Sequence, residues 1–158
     1  MKNVELSVWA FDDEITAGNA LKDLKQIQKD GIVKVLDAAV LVKDKKGKVS
    51  VKETENVEAK SGALFGLITG GLIGLLGGVP GVIVGAAAGA GTGGVAASLI
   101  DLGFPKEFLQ ELQAGLQPGS SALVALVEPT WIDRLVNEME KVGGQLFHYT
   151  IMTELADF

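Results

Sequence analysis

The chain has 158 residues, 47% of them apolar, no cysteine, a single histidine and a formal net charge of −6 at pH 7. That length suits one domain with its own core. The missing cysteines exclude a disulfide framework and thiolate chemistry, one histidine excludes a His-rich metal site, and the acidic balance argues against nucleic acid, whose phosphates call for clustered Lys and Arg.

In chain order, 4–11 (VELSVWAF) alternates and is rich in β formers, which predicts a strand. Asp12 and Asp13 are placed to cap a helix in which Ala17, Ala20, Leu21, Leu24 and Ile27 recur at helical spacing and which Gly31 ends. Residues 32–42 (IVKVLDAAVLV) read as a second strand, 44–47 (DKKG) as a tight turn and 49–54 (VSVKET) as a third strand. Beyond 61–100, Pro105 opens a short helix carrying Phe108, Leu109 and Leu112, and Pro118-Gly119 makes a turn. Residues 121–128 then read as a strand, Pro129 opens a helix closed by Gly143-Gly144, and 145–152 (QLFHYTIM) is a last strand. The order β-α-β-β-α-β-α-β predicts an α+β fold. It is a ferredoxin-like antiparallel sheet with helices on one face, made by 1–60 and 101–158 together.

The segment 61–100 is different material. All 34 charged residues, 14 basic and 20 acidic, lie outside it, while thirteen of the 21 glycines lie inside. Gly62, Gly66, Gly70, Gly74 and Gly78 repeat every four residues, and so do Gly81, Gly85, Gly89 and Gly93. A four-residue step keeps positions near one helix face, so each series forms a groove into which another helix can press, the small-xxx-small logic of GxxxG packing. Gly77-Gly78-Val79-Pro80-Gly81 is a turn, which predicts two helices, roughly 61–77 and 81–99, as an inserted glycine-zipper hairpin. Glycine costs ~1 kcal/mol per helix-interior position, so the isolated hairpin carries a penalty on the order of 10 kcal/mol. A bilayer offsets that penalty, and so does tight packing against protein.

The residues FDDE at 11–14, Leu-x-x-Leu-x-x-Ile-Gln-Lys-Asp-Gly at 21–31, the glycine zipper and LQPGSSAL at 116–123 together give a chain that resembles a widespread bacterial family of unknown function, usually labelled predicted membrane proteins. The resemblance spans nearly the whole chain and implies a membrane connection and, from some relatives, a link to stress responses. It supplies no activity and no catalytic residue.

Other features have plainer readings. Gly89-Ala90-Gly91-Thr92-Gly93-Gly94 fits G-x-G-x-x-G, but its glycines belong to a helical repeat that starts well upstream. Asp12, Asp13 and Glu14 read as capping rather than as metal ligands, His148 as a packed or surface residue, Ser120 and Ser121 as turn residues, and Trp9 and Trp131 as core. No acid pair or nucleophile–base set is recognisable from spacing. The expectation is therefore a non-enzymatic, membrane-associated assembly protein without cofactor or metal. It self-associates through Gly62, Gly66, Gly70, Gly74, Gly78, Gly81, Gly85, Gly89 and Gly93. The lipid bilayer and further copies of the chain are its partners and nucleic acid is not. The hairpin sits in the inner membrane, with the globular domain in the cytoplasm because the N-terminal stretch shows no secretory signal. Two alternatives stand beside this: a soluble filament or shell with the hairpins buried in protein, and a ligand-sensing module with a membrane anchor.

Overall fold

The structure, a computed structural model, describes residues 2–56, 62–77 and 98–154. Five strands form one sheet: β1 (Lys2–Phe11), β2 (Asp37–Lys43), β3 (Val49–Asn56), β4 (Ser120–Val127) and β5 (Gln145–Thr153). The order is β3-β2-β4-β1-β5, and every neighbouring pair is antiparallel. Among the described residues four complete α-helices accompany it: α1 (Thr16–Lys29), α2 (Gly62–Leu76), α3 (Lys106–Gly115) and α4 (Pro129–Met139). Because β4 lies between β1 and β2, and β1 between β4 and β5, the units β1-α1-β2 and β4-α4-β5 are split and interleaved. β3 is an added edge strand beyond β2, joined to it by the predicted turn, where Gly47 sits at φ +88° and Asp44 accepts the Lys46 and Lys48 amides.

The prediction of helices on one face is corrected. α1 and α4 pack on the face carrying Trp9, Val40, Leu123 and Ala125, while α2 and α3 pack on the face carrying Leu6, Leu41, Val124 and Leu126. The physical reason is the composition of the central strands. β2 and β4 are buried at every position, and a strand apolar on both sides needs cover on both. The second strand is also shorter than expected, since residues 32–36 run as a connection before Asp37.

Local chemistry sets the element ends. Asp13 Oδ1 accepts the Ile15 and Thr16 amides at 2.8 and 2.7 Å, and its Oδ2 accepts the Thr16 hydroxyl at 2.6 Å. Among the paired predicted caps, Asp13 therefore does the capping. α1 closes on Gly31, at φ +76°, with Gly31 N–H donating to Gln28 O and Ile32 N–H to Ile27 O, a Schellman ending.

α2 is part of the core. Leu64, Phe65, Ile68, Leu72, Leu75 and Leu76 are buried against the sheet and α3. Burying six large side chains contributes on the order of 10 kcal/mol, more than the ~1 kcal/mol that each of its few interior glycines costs. Packing on the domain's own sheet thus offsets the glycine penalty in this arm. The other predicted arm, 81–99, lies outside the described residues up to 97; residues 98–101 are helical. Among the described residues no helix is long and apolar enough to cross a membrane.

Candidate functional site

α2 has no charged residue on any side. Its inward face is the buried one just described. On the outward side, Ala63, Gly66 and Gly74 are exposed, Leu67 is 43% exposed, and Gly62, Gly70 and Ile73 are half-buried. A Cβ built at Gly66 or Gly70 would meet no atom within 4 Å. The polar atom of this turn, the Thr69 hydroxyl, donates back to Phe65 O at 2.9 Å and lies 3.3 Å from Gly66 O, so it offers the surroundings no donor. A helix exposed to water normally carries polar residues on its outer side. This one presents backbone and methyls.

On α2, a close contact with another part of the chain is made by a glycine outside the predicted series. A Cβ at Gly71 would lie 2.5 Å from Leu99 Cγ, so Leu99 presses directly on the helix backbone there. The Gly70-Gly71 doublet, which breaks the four-residue spacing, was the signal available in the sequence. Of the predicted packing positions, Gly62, Gly66, Gly70 and Gly74 thus fall on the outward side of α2. Gly78, Gly81, Gly85, Gly89 and Gly93 lie outside the described residues, as does the G-x-G-x-x-G stretch at 89–94.

Three further clusters were not visible in sequence. His148 Nε2 contacts Glu5 Oε2, and Thr150 Oγ1 donates to the same oxygen at 2.6 Å. The β1–β5 register, which pairs Glu5 with Thr150 and Ser7 with His148, brings these distant residues together on a buried carboxylate. Lys43 is 7% exposed, and its ammonium donates to Leu116 O at 3.1 Å, at the end of α3. Burial pushes the Lys43 amine below its ordinary value. Nearby, Gln113 Nε2 donates to Leu75 O at 3.1 Å, and both residues border a cavity of about 270 Å³ together with Lys46, Leu76 and Gly77. The carbonyl ends of α2 and α3 face this spot, and the negative pole of a helix end favours a cation there. Lys43 is thereby explained as a structural charge. Third, Ser120 and Ser121 lie in β4 rather than in the turn, and Ser121 Oγ accepts the Ala17 amide at 3.2 Å, meeting the start of a helix 104 positions away in sequence.

Trp9 is buried and Trp131 half-buried. Among the described residues no group of three or more potential ligands is placed to hold a metal, and the Asp13 carboxylate is occupied with α1.

The chain is an α+β protein whose distinguishing surface is a charge-free helix face. Residues 63–157, more than half of its length, match a family described as a protein of unknown function (DUF1269), and the chain belongs to that family. The matched segment includes 116–123 and leaves 11–14 outside it. No curated protein and no solved structure matches the chain.

Proposed function

We propose that this chain is a non-enzymatic assembly protein that self-associates through the outward face of α2. The observation that carries the reading is the open, charge-free strip containing Gly66 and Gly70 on a helix whose opposite side is already buried. A surface of that composition is stable when an apolar partner covers it, and glycines at four-residue spacing let a second helix approach to backbone contact. α2 of another copy supplies such a helix. The same interleaved sheet, with β1-α1-β2 and β4-α4-β5 as its split units, supports a ferredoxin-like reading of the fold with β3 added at the edge.

The test is sedimentation velocity of the full chain beside Gly66→Leu/Gly70→Leu. Both positions have open space, so the variant keeps its fold, and the assembly is expected to fall to a smaller species. An unchanged size distribution would overturn the reading.

The charge-free run from 61 to 100, bounded by Lys60 and Asp101, favours a second reading in which lipid covers the strip and the globular part stays on the cytoplasmic side of the inner membrane. Flotation with membranes after a carbonate wash separates the two. Under this reading both the native chain and the leucine variant float; under the first, neither does.

A further inference from the structure

We propose that β5 is a dimerisation edge, pairing antiparallel with β5 of a second copy across a two-fold axis at Tyr149. The two edges of the sheet are built differently. β3 carries Lys52, Glu53 and Glu55, and its pairing with β2 is interrupted by a register shift at Val40/Leu41. Charges and bulges are the means by which edge strands avoid pairing with other chains. β5 has neither. Its nine residues, QLFHYTIMT, include no charged residue, no proline and no glycine, and its register with β1 runs unbroken from Lys2↔Thr153 to Ala10↔Gln145. The result is an uninterrupted row of backbone donors and acceptors, free of Asp, Glu, Lys and Arg, at the end of the described sheet.

The strand is also held ready. Tyr149 packs on Phe104 and Phe108 with ring centroids 5.9 and 5.4 Å apart, and Phe147 fits against the α3 glycine Gly115, where a Cβ would collide with its ring. A pre-ordered strand gives up little conformational freedom on pairing. On the opposite side of the sheet, Met152 is 60% and Leu146 36% exposed, two of the five large apolar side chains so exposed among the described residues.

The occupant follows from the order of residues. About Tyr149 the strand is chemically symmetric: antiparallel pairing with itself sets Leu146 opposite Met152, Phe147 opposite Ile151 and His148 opposite Thr150 of the other copy. Each apolar residue meets an apolar one, and each polar residue a polar one, on the correct face. A self-complementary patch of this kind closes as a two-fold dimer rather than extending into a fibre. Leu67 at the rim of the α2 strip borders the same surface cavity as Met152 and Thr153, but Gly66 and Gly70 do not line it, so the two steps of association are tested with different substitutions.

The experiment is sedimentation velocity over a concentration series, in the native chain and in the Gly66→Leu/Gly70→Leu background. In both, β5 pairing is expected to leave a dimer. Leu146→Lys/Met152→Lys sets ammonium groups opposite each other twice and is expected to raise the dimer Kd at least roughly tenfold. Leu146→Lys/Met152→Glu sets each ammonium opposite a carboxylate and is expected to restore the dimer. The substituted positions are surface-exposed, and thermal unfolding checks that all variants are folded. A chain that is monomeric in the leucine background at roughly 100 µM, a dimer indifferent to the paired lysines, or a failure of the Lys/Glu variant to recover would each overturn the proposal.

Discussion

Asp13 and Lys43 show two opposite uses of charge in one small domain. The Asp13 carboxyl is held below its ordinary value first by the Thr16 hydroxyl and then by the Thr16 and Ile15 amides. A depressed carboxyl contributes stability that is present above its unfolded pKa of 3.8 and is lost as pH falls through its folded pKa. Asp13→Ala is therefore expected to cost about 1 kcal/mol at pH 7, with the gap to the native chain closing below about pH 4; urea unfolding at several pH values measures it. Lys43 runs the other way. Its amine is pushed down by burial, so the unfolded chain holds the proton more tightly, and native stability gains as pH rises toward the ordinary lysine value of 10.5. Relative to Lys43→Met, the native chain should become more stable through the alkaline range, and a constant difference would show that burial of the ammonium is not felt. The cap was legible because an acid two or three residues ahead of a periodic apolar run has a local meaning. Lys43, the Ser121–Ala17 contact and the Glu5–His148–Thr150 cluster were not, because each depends on strand register between distant parts of the chain.

At the scale of the element, α2 separates two kinds of glycine that look alike in sequence. Gly66 and Gly70 face open space, so alanine at either position adds helix propensity without a collision and is expected to stabilise the domain by up to ~1 kcal/mol. Gly71 lies under Leu99, so Gly71→Ala is expected to destabilise it despite the same gain in propensity. Thermal unfolding of the three single variants tests this, and a Gly71→Ala chain as stable as the native one would mean that Leu99 gives way. The periodicity of the glycines predicts a helix at roughly 61–77, where the structure has Gly62–Leu76, and the absence of charge marks it as unusual. Which glycines carry the internal contact depends on where the sheet lies, and a four-residue repeat holds no information about that. The same limit explains 32–42. Its apolar run reads as one strand, but residues 32–35 precede any bond to the sheet: contact with β4 starts with Leu36 N–H donating to Leu126 O, and the ladder begins at Asp37↔Leu126.

For the whole molecule, the number of layers follows from the strands. The continuous apolar run 122–127 (ALVALV) has no alternation of polar residues, and such a strand belongs between two covering layers. That signal was in the sequence and contradicts helices on one face, yet it speaks only when the helix assigned to the other layer is known. That layer is α2 together with α3, and α2 comes from the segment that composition alone marked as foreign to the domain. The consequence is testable by excision. Removing 61–100 takes away Leu64, Phe65, Ile68, Leu72, Leu75, Leu76 and Leu99 and uncovers the sheet face of Leu6, Leu41 and Leu126. Six or more large buried side chains are worth on the order of 10 kcal/mol, as much as the whole stability of an ordinary domain. The deletion variant is therefore expected to lose cooperative unfolding and become protease-sensitive, whereas leucine at Gly66 and Gly70 leaves the melting transition in place. A deletion variant that still melts sharply near the native temperature would mean that α2 is a detachable arm. The helix would then be free to leave the sheet for a bilayer, and the outward strip would lose its claim to be the surface that matters.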